Sequence, residues 1–190
     1  MRLVAKKIGK NHSLAIQLWK TKIHEARHIA AMIADPVMTD EKLMERWLKD
    51  FDSWDIVDGT CSTLFIKHAS AYSKAIEWSK REPEFEKRAG FTMMAMLAVH
   101  DKKAADKKFS TFLTRIKSES ADERNFVKKA ANWALRQIGK RNERLCLSAI
   151  KTAKDIYEKG DSSSRWIAND ALRELEKYLK EGKIKNVGSR

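Results

Sequence analysis

Apolar positions recur every three to four residues along nearly the whole chain, the period of helices with one buried face. The pattern predicts ten helices, over residues 12–20, 23–34, 40–49, 54–68, 71–80, 84–99, 103–117, 123–140, 142–158 and 163–180. The connections between them are short. Pro36 and Pro83 punctuate two of them, because proline cannot continue a helix. A third break, "EKGDSSS" (Glu158 to Ser164), ends in serines able to cap the next helix. The tail "EGKIKNVGSR", residues 181–190, is expected to fray.

One segment does not reduce to this periodicity. "SWDIVDGTC" (Ser53 to Cys61) reads as a helix start, with Asp52 or Ser53 as its cap. Asp55 falls in the first turn, where the helix dipole favours a negative charge. Asp58 lies a turn further in, beyond the free N–H groups, so capping does not account for it. It follows Trp54 by four residues, which places an indole and a carboxylate on one face.

The pattern also repeats. "HEARHIAAMIA", "EKRAGFTMMAMLA", "VKKAANWALRQIG" and "RWIANDALRELEK" each carry a basic residue, small residues and an apolar helical stripe. Taking Arg27, Asp58, Arg88 and Lys129 as comparable positions gives intervals of 31, 30 and 41 residues. These suit helix-pair repeats of the HEAT type. The expected architecture is all-α: a right-handed α-solenoid of HEAT-like helix pairs, forming a single domain over residues 1–180. The second helix of each pair would line a concave basic groove into which the four named residues project.

Composition narrows the picture. Only 7 Gly and 2 Pro occur in 190 residues, which favours helices over sheets and their turns. Hydrophobic residues at 43% and charged residues at 34% fit a soluble globular chain. The longest apolar runs, such as "AGFTMMAMLAV" (Ala89 to Val99), are too short to span a bilayer. "MRLVAKKIGK" lacks the apolar core of a signal peptide. A cytoplasmic, nucleoid-associated monomer with no membrane partner is expected. Cys61 and Cys146 form no ligand cluster and read as reduced, half-buried thiols.

Charge changes the picture more. Lys and Arg number 39 against 26 Asp and Glu, a net charge of +13 spread along the chain. Such a field attracts polyanions, nucleic acid first. A membrane surface competes, but no basic amphipathic segment stands apart from the fold. His24, Glu25 and His28 fit H-E-x-x-H. No third ligand is evident in sequence, and the Arg27 guanidinium would repel a metal. The segment therefore reads as the start of an amphipathic surface helix, and no metal or other cofactor is expected.

Trp19, Trp47 and Trp78 fit apolar stripes and are expected in the core. Trp54 and Trp133 share faces with polar residues. Trp133 has Lys129 one turn before it, and Arg136 and Gln137 about one turn after. Trp166 is open between the two roles. A groove for DNA alone would avoid Asp58, which repels phosphate. A groove for protein alone would not need so much positive charge.

"SWDIVDGTCSTLF" (Ser53 to Phe65), "KRAGF" (Lys87 to Phe91), "FVKKAANWALRQIGKRN" (Phe126 to Asn142) and "HEARHIAAMIADP" (His24 to Pro36) resemble a known family. It is that of the bacterial DNA alkylation repair glycosylases built from HEAT-like repeats, the AlkD type. The similarity runs from about residue 3 to about residue 175. The resemblance implies a solenoid that cradles double-stranded DNA and excises purines alkylated at N3 or N7. It implies Asp58 as the catalytic aspartate with Trp54 and Trp133 flanking it, and Arg88 as a contact to the DNA backbone. Lys129 and Arg136 are expected to hold phosphates as well. Family members usually begin with further helices, so the N-terminal wall of the groove is expected to be missing.

One carboxylate suits such a substrate. A glycosidase normally needs a second carboxyl to protonate the leaving group. An N3- or N7-alkylated purine is already cationic and leaves neutral. The expected activity is that of a monofunctional 3-methyladenine/7-methylguanine-type DNA glycosylase. The alternatives are a HEAT solenoid that binds DNA without cleaving it, and one that binds protein.

Overall fold

The computed structural model describes residues 1–182, and their regular structure is helical throughout. The helices are α1 (Arg2–Ile8), α2 (His12–Lys20), α3 (His24–Ile33), α4 (Glu41–Lys49), α5 (Trp54–Thr63) and α6 (Ala71–Trp78). There follow α7 (Glu84–His100), α8 (Asp106–Glu119), α9 (Asn125–Gly139), α10 (Glu143–Tyr157) and α11 (Ser162–Lys180). The expected fraying tail lies, from residue 183 on, outside the described residues.

Side-chain caps fix several of the starts. Asn11, Asp40, Asn142 and Asp161 each accept the backbone N–H three residues on, satisfying a donor the helix leaves free. At the third break the cap is thus Asp161 and not a serine. Ser163 and Ser164 are buried, donating to Asp122 O (2.7 Å) and meeting the Ser120 hydroxyl (3.0 Å).

Three further boundaries depart from the periodic pattern. Helix α1 is basic and buries only Ala5, which leaves almost no apolar stripe to read. The helix expected over 54–68 stops at Thr63. The Thr63 hydroxyl bonds back to Gly59 O at 2.6 Å, Leu64 leaves helical geometry, and a 3₁₀ turn (Phe65–Lys67) buries Phe65. The helix expected from 103 begins at Asp106, because Asp101 holds the preceding turn through Ala104 N (3.1 Å).

The helices stack as pairs in two layers. One row runs α1, α3, α5, α7, α9, α11, each packed on the next. The other holds α2, α4, α6, α8 and α10, with α2 against α3, α6 against α7, α8 against α9 and α10 against α11. This is the expected solenoid of HEAT-like pairs. Helix α7 lies at its centre, and every residue from Lys87 to Ala98 is buried. Gly90 permits the approach of α6: a Cβ there would stand 2.3 Å from the Ser79 backbone N.

Trp19, Trp47 and Trp78 are core, as expected. Trp19 and Trp47 stack with centroids 3.9 Å apart, and their buried neighbourhood satisfies Trp19 Nε1 through Asp50 (2.8 Å). Cys61 and Cys146 are fully buried free thiols, not half-buried ones, because the neighbouring inner helices close over them. Burial pushes the Cys61 thiol well above its ordinary pKa.

Side chains tie successive inner helices together. Arg27 donates from α3 to Asp50 O (3.1 Å) and Asp52 (3.0 Å), ahead of α5. Arg88 links α7 to both α5 and α9. Arg136 on α9 pairs with Glu174 and Asp170 on α11. Arg27 and Arg88, expected to project outward, are only 4% and 6% exposed, because each guanidinium serves as such a tie.

Candidate functional site

Helix α5 begins at an extended Ser53, whose hydroxyl donates to Asp55 Oδ1 (2.8 Å) and forms no capping bond. From this start Trp54 projects to the surface at 51% exposure. One turn on, Asp58 faces α7. Arg88 grips its carboxylate with both arms, Nε to Oδ1 at 3.1 Å and a terminal nitrogen to Oδ2 at 2.7 Å. Thr92, one turn further along α7, adds a hydroxyl to Oδ1 at 2.9 Å. The remaining Arg88 nitrogen donates to Phe126 O at the start of α9, at 2.7 Å.

The sharing of one face by Trp54 and Asp58 now has a physical account. The Arg88 guanidinium lies 5.9 Å from the Trp54 ring centroid, a cation over an indole, while it pairs with the carboxylate below. Indole, guanidinium and carboxylate form one unit across α5 and α7. Asp58 Oδ1 is occupied twice, but Oδ2 has a single partner, and the side chain is 21% exposed. A carboxylate oxygen offers two lone pairs, so Oδ2 can accept from one more donor, such as a water. The bidentate pair also offsets the negative charge that would otherwise repel a phosphate.

The other expected residues are distributed along the same row. Trp133 is half-buried against the core on α9, with α7 between it and α5. Lys129, one turn before it, is exposed, and its ammonium is free among the described residues. Arg136 is committed to Glu174 and Asp170. Arg88 is committed to Asp58 and Phe126. Of the three residues expected to meet phosphates, only Lys129 presents an uncommitted charge.

Two further features lie outside the expected site. Trp166, on α11, is 40% exposed, with the Lys128 ammonium 5.7 Å from its ring centroid. The second is a group that could hold a metal: His24, His28 and Asp55, whose ligand atoms lie within 4.8 Å of one another. Burial by itself would raise the Asp55 carboxyl, but hydrogen bonds from Ser53, His24 and His28 outweigh it and hold the group far below the usual carboxylate range. Asp55 is 31 and 27 residues from the two histidines, so no local motif could signal it.

No helix among the described residues is long and apolar enough to cross a membrane. The family model of DNA alkylation repair enzymes matches residues 1–175. No curated protein matches the chain. Among solved structures, one described as "A new family of proteins related to the HEAT-like repeat DNA glycosylases with affinity for branched DNA structures" is similar in fold. It is 23% identical, with a TM-score of 0.79, over 98% of this chain and 81% of that one.

Proposed function

Because the chain belongs to the DNA alkylation repair enzyme family, we propose that it is a DNA glycosylase acting on cationic N3- and N7-alkylated purines in double-stranded DNA. The observation that carries this reading is the carboxylate of Asp58. It is immobilised by Arg88 and Thr92, keeps a spare lone pair on Oδ2, and stands beside an exposed indole.

Cleavage of the C1′–N bond releases the alkylated base as a neutral molecule and leaves an oxocarbenium-like sugar. Asp58 stabilises that developing positive charge and orients the water that adds at C1′. A carboxylate already fixed in place stabilises the transition state without reorganising during the step. Trp54 offers an aromatic face to the same cation and excludes bulk water. Trp133 is assigned the second aromatic wall, across α7. Lys129 holds a phosphate, and the net charge of +13 supplies the attraction that brings DNA to the surface. Selectivity follows from the leaving group: an unmodified base holds its bond too firmly for a lone carboxylate.

The test is release of 7-methylguanine and 3-methyladenine from methylated duplex DNA, with Asp58→Asn beside the wild type. Release by the wild type alone supports both the activity and the role of Asp58. Release by both keeps the activity and removes Asp58 from it.

A second reading is supported by the affinity for branched DNA described for the structurally similar protein. In it this chain binds branched DNA without cleaving the glycosidic bond. Neither variant would then release base, and both would bind a four-way junction more tightly than a linear duplex, with a steep salt dependence.

A further inference from the structure

The H-E-x-x-H segment has, in sequence, no third ligand and a guanidinium in its middle. The fold alters both points. His24 and His28 stand four residues apart on α3, and their Nε2 atoms converge on one oxygen, Asp55 Oδ2, at 2.7 and 3.2 Å. Their rings lie 5.1 Å apart with planes at 71°. Arg27 turns away, donating to Asp50 O and Asp52, with its guanidinium 5.3 Å from the Trp19 ring.

Supporting contacts hold this group in place. Ser53 donates to Asp55 Oδ1 at 2.8 Å, which fixes the carboxylate with Oδ2 toward the imidazoles. Helix α5 gives up a side chain to admit the His28 ring: a Cβ on Gly59 would stand 2.9 Å from His28 Nδ1. Glycine is among the poorest helix formers, so its presence opposite this ring has a structural reason.

We propose that His24 Nε2, His28 Nε2 and Asp55 Oδ2 bind a divalent transition-metal ion of the Zn²⁺ class. Metal–ligand bonds of ~2.0–2.1 Å place two ligand atoms of a tetrahedral ion about 3.3 Å apart. The His28–Asp55 distance of 3.2 Å matches that edge, the His24–Asp55 distance of 2.7 Å opens by roughly half an ångström when an ion replaces the hydrogen bond, and all three ligand atoms lie within 4.8 Å of one another. Two imidazoles and one carboxylate suit Zn²⁺ and not the oxygen-coordinated Mg²⁺ or Ca²⁺. Three protein ligands leave a fourth position open. The side chains are 44%, 12% and 35% exposed, so an ion reaches the site from solvent. Asp55 precedes Asp58 by three residues on α5, so the ion adds positive charge about one helical turn from that carboxylate. Its open position accepts a water or a phosphate oxygen of a nucleic-acid backbone. This binding stands whether or not the chain is a glycosylase.

The test is titration of the metal-free full chain with Zn²⁺ by calorimetry and with Co²⁺ by visible absorbance. The expected result is one Zn²⁺ per chain and the strong visible bands of four- or five-coordinate Co²⁺. His24→Asn, at a half-exposed position that leaves the core untouched, should weaken Zn²⁺ at least about tenfold, and Asp55→Asn should do the same. His100→Gln, at an exposed histidine on the far end of α7, should leave it unchanged. Circular dichroism melting verifies that each variant is folded. Equal Zn²⁺ affinity in wild type and His24→Asn, equal loss in His100→Gln, or Co²⁺ bands no stronger than those of the hydrated ion would overturn the site. The three side chains would then be an ion-paired cluster only.

Discussion

Helices α5 and α11 carry the same pattern, an indole followed four residues later by a carboxylate: Trp54 and Asp58, Trp166 and Asp170. Both indoles are exposed, and both have a cation near the ring, Arg88 at 5.9 Å and Lys128 at 5.7 Å. Asp58 and Asp170 are even equally exposed, at 21% and 22% of their side chains. The difference lies in what holds each carboxylate. Asp58 is gripped from α7 by a buried guanidinium whose other end is itself fixed to Phe126 O. Asp170 is shared: Asn132 donates at 2.7 Å, Arg136 stands at 3.6 Å, and Arg173 at 2.5 Å comes from its own helix with 79% of its side chain in solvent. Arg136 is divided again, since it also pairs with Glu174, as does Lys140. An aromatic–carboxylate pair at helical spacing therefore does not by itself fix how firmly the carboxylate is held. A two-armed grip by a buried guanidinium distinguishes Asp58, since the buried partner of Asp170, Asn132, offers one neutral amide to a single oxygen.

The comparison breaks most easily on activity. Asp58→Asn should lower release of 7-methylguanine by at least about 100-fold in single-turnover assays, the scale of losing one preorganised electrostatic group. Asp170→Asn should change it by less than about threefold; equal losses would erase the distinction. Stability comes next. Arg88→Ala leaves Asp58 without its buried partner and should cost roughly 3 kcal/mol. For a domain of this size that is about 6–12 °C in Tm. Arg136→Ala, at a more exposed pair, should cost about 1 kcal/mol or less, read in the same melts.

Acid should act wherever ion pairs and hydrogen bonds hold a carboxyl below its ordinary value, as at Asp55, Glu45, Glu77 and Asp122, and at Glu174 on the α9–α11 end. Burial alone would raise the Glu174 carboxyl, but Lys140 and Arg136 hold it below its ordinary 4.5. A depressed carboxylate contributes stability that is present above its unfolded pKa and lost as pH falls through the folded one. Melting temperature should therefore fall below about pH 4.5, and less steeply in Glu174→Gln than in the wild type. A matching slope in the two proteins would remove Glu174 from the acid response. Lys129→Ala should have the smallest effect: weaker duplex binding, with the slope of log affinity against log salt reduced by about one. An unchanged slope would mean that Lys129 meets no phosphate.

The helical stack was legible in the sequence because its apolar stripes are strong wherever a helix buries a face. Trp19, Trp47 and Trp78 could be placed in the core on that ground alone. Helix α1 could not be read, since Ala5 is its whole buried stripe. The candidate site was half legible. Trp54 and Asp58 stand out as an unexplained pair within one helix. The repeat interval of 30 residues marked Arg88 as the equivalent of Asp58, whereas the fold makes it the partner. Equivalent positions on adjacent repeats become neighbours, and periodicity does not say whether they point outward or at each other. Asp55 was assigned to the helix dipole for the same reason, since its histidines lie on another helix. The burial of Cys61 and Cys146 was underestimated because the helices that cover them are distant in sequence.

Repeat arrays evolve by gaining and losing units, since each unit usually touches only its neighbours. Arg88 sets a limit on that freedom here. It belongs to one pair, holds the carboxylate of the pair before and the backbone of the pair after. Removing the α6–α7 unit would take the guanidinium from Asp58 and the donor from Phe126 O, and duplicating it would divide the two bonds between two copies of Arg88. A change in the number of units at this point of the array therefore disturbs three successive pairs at once.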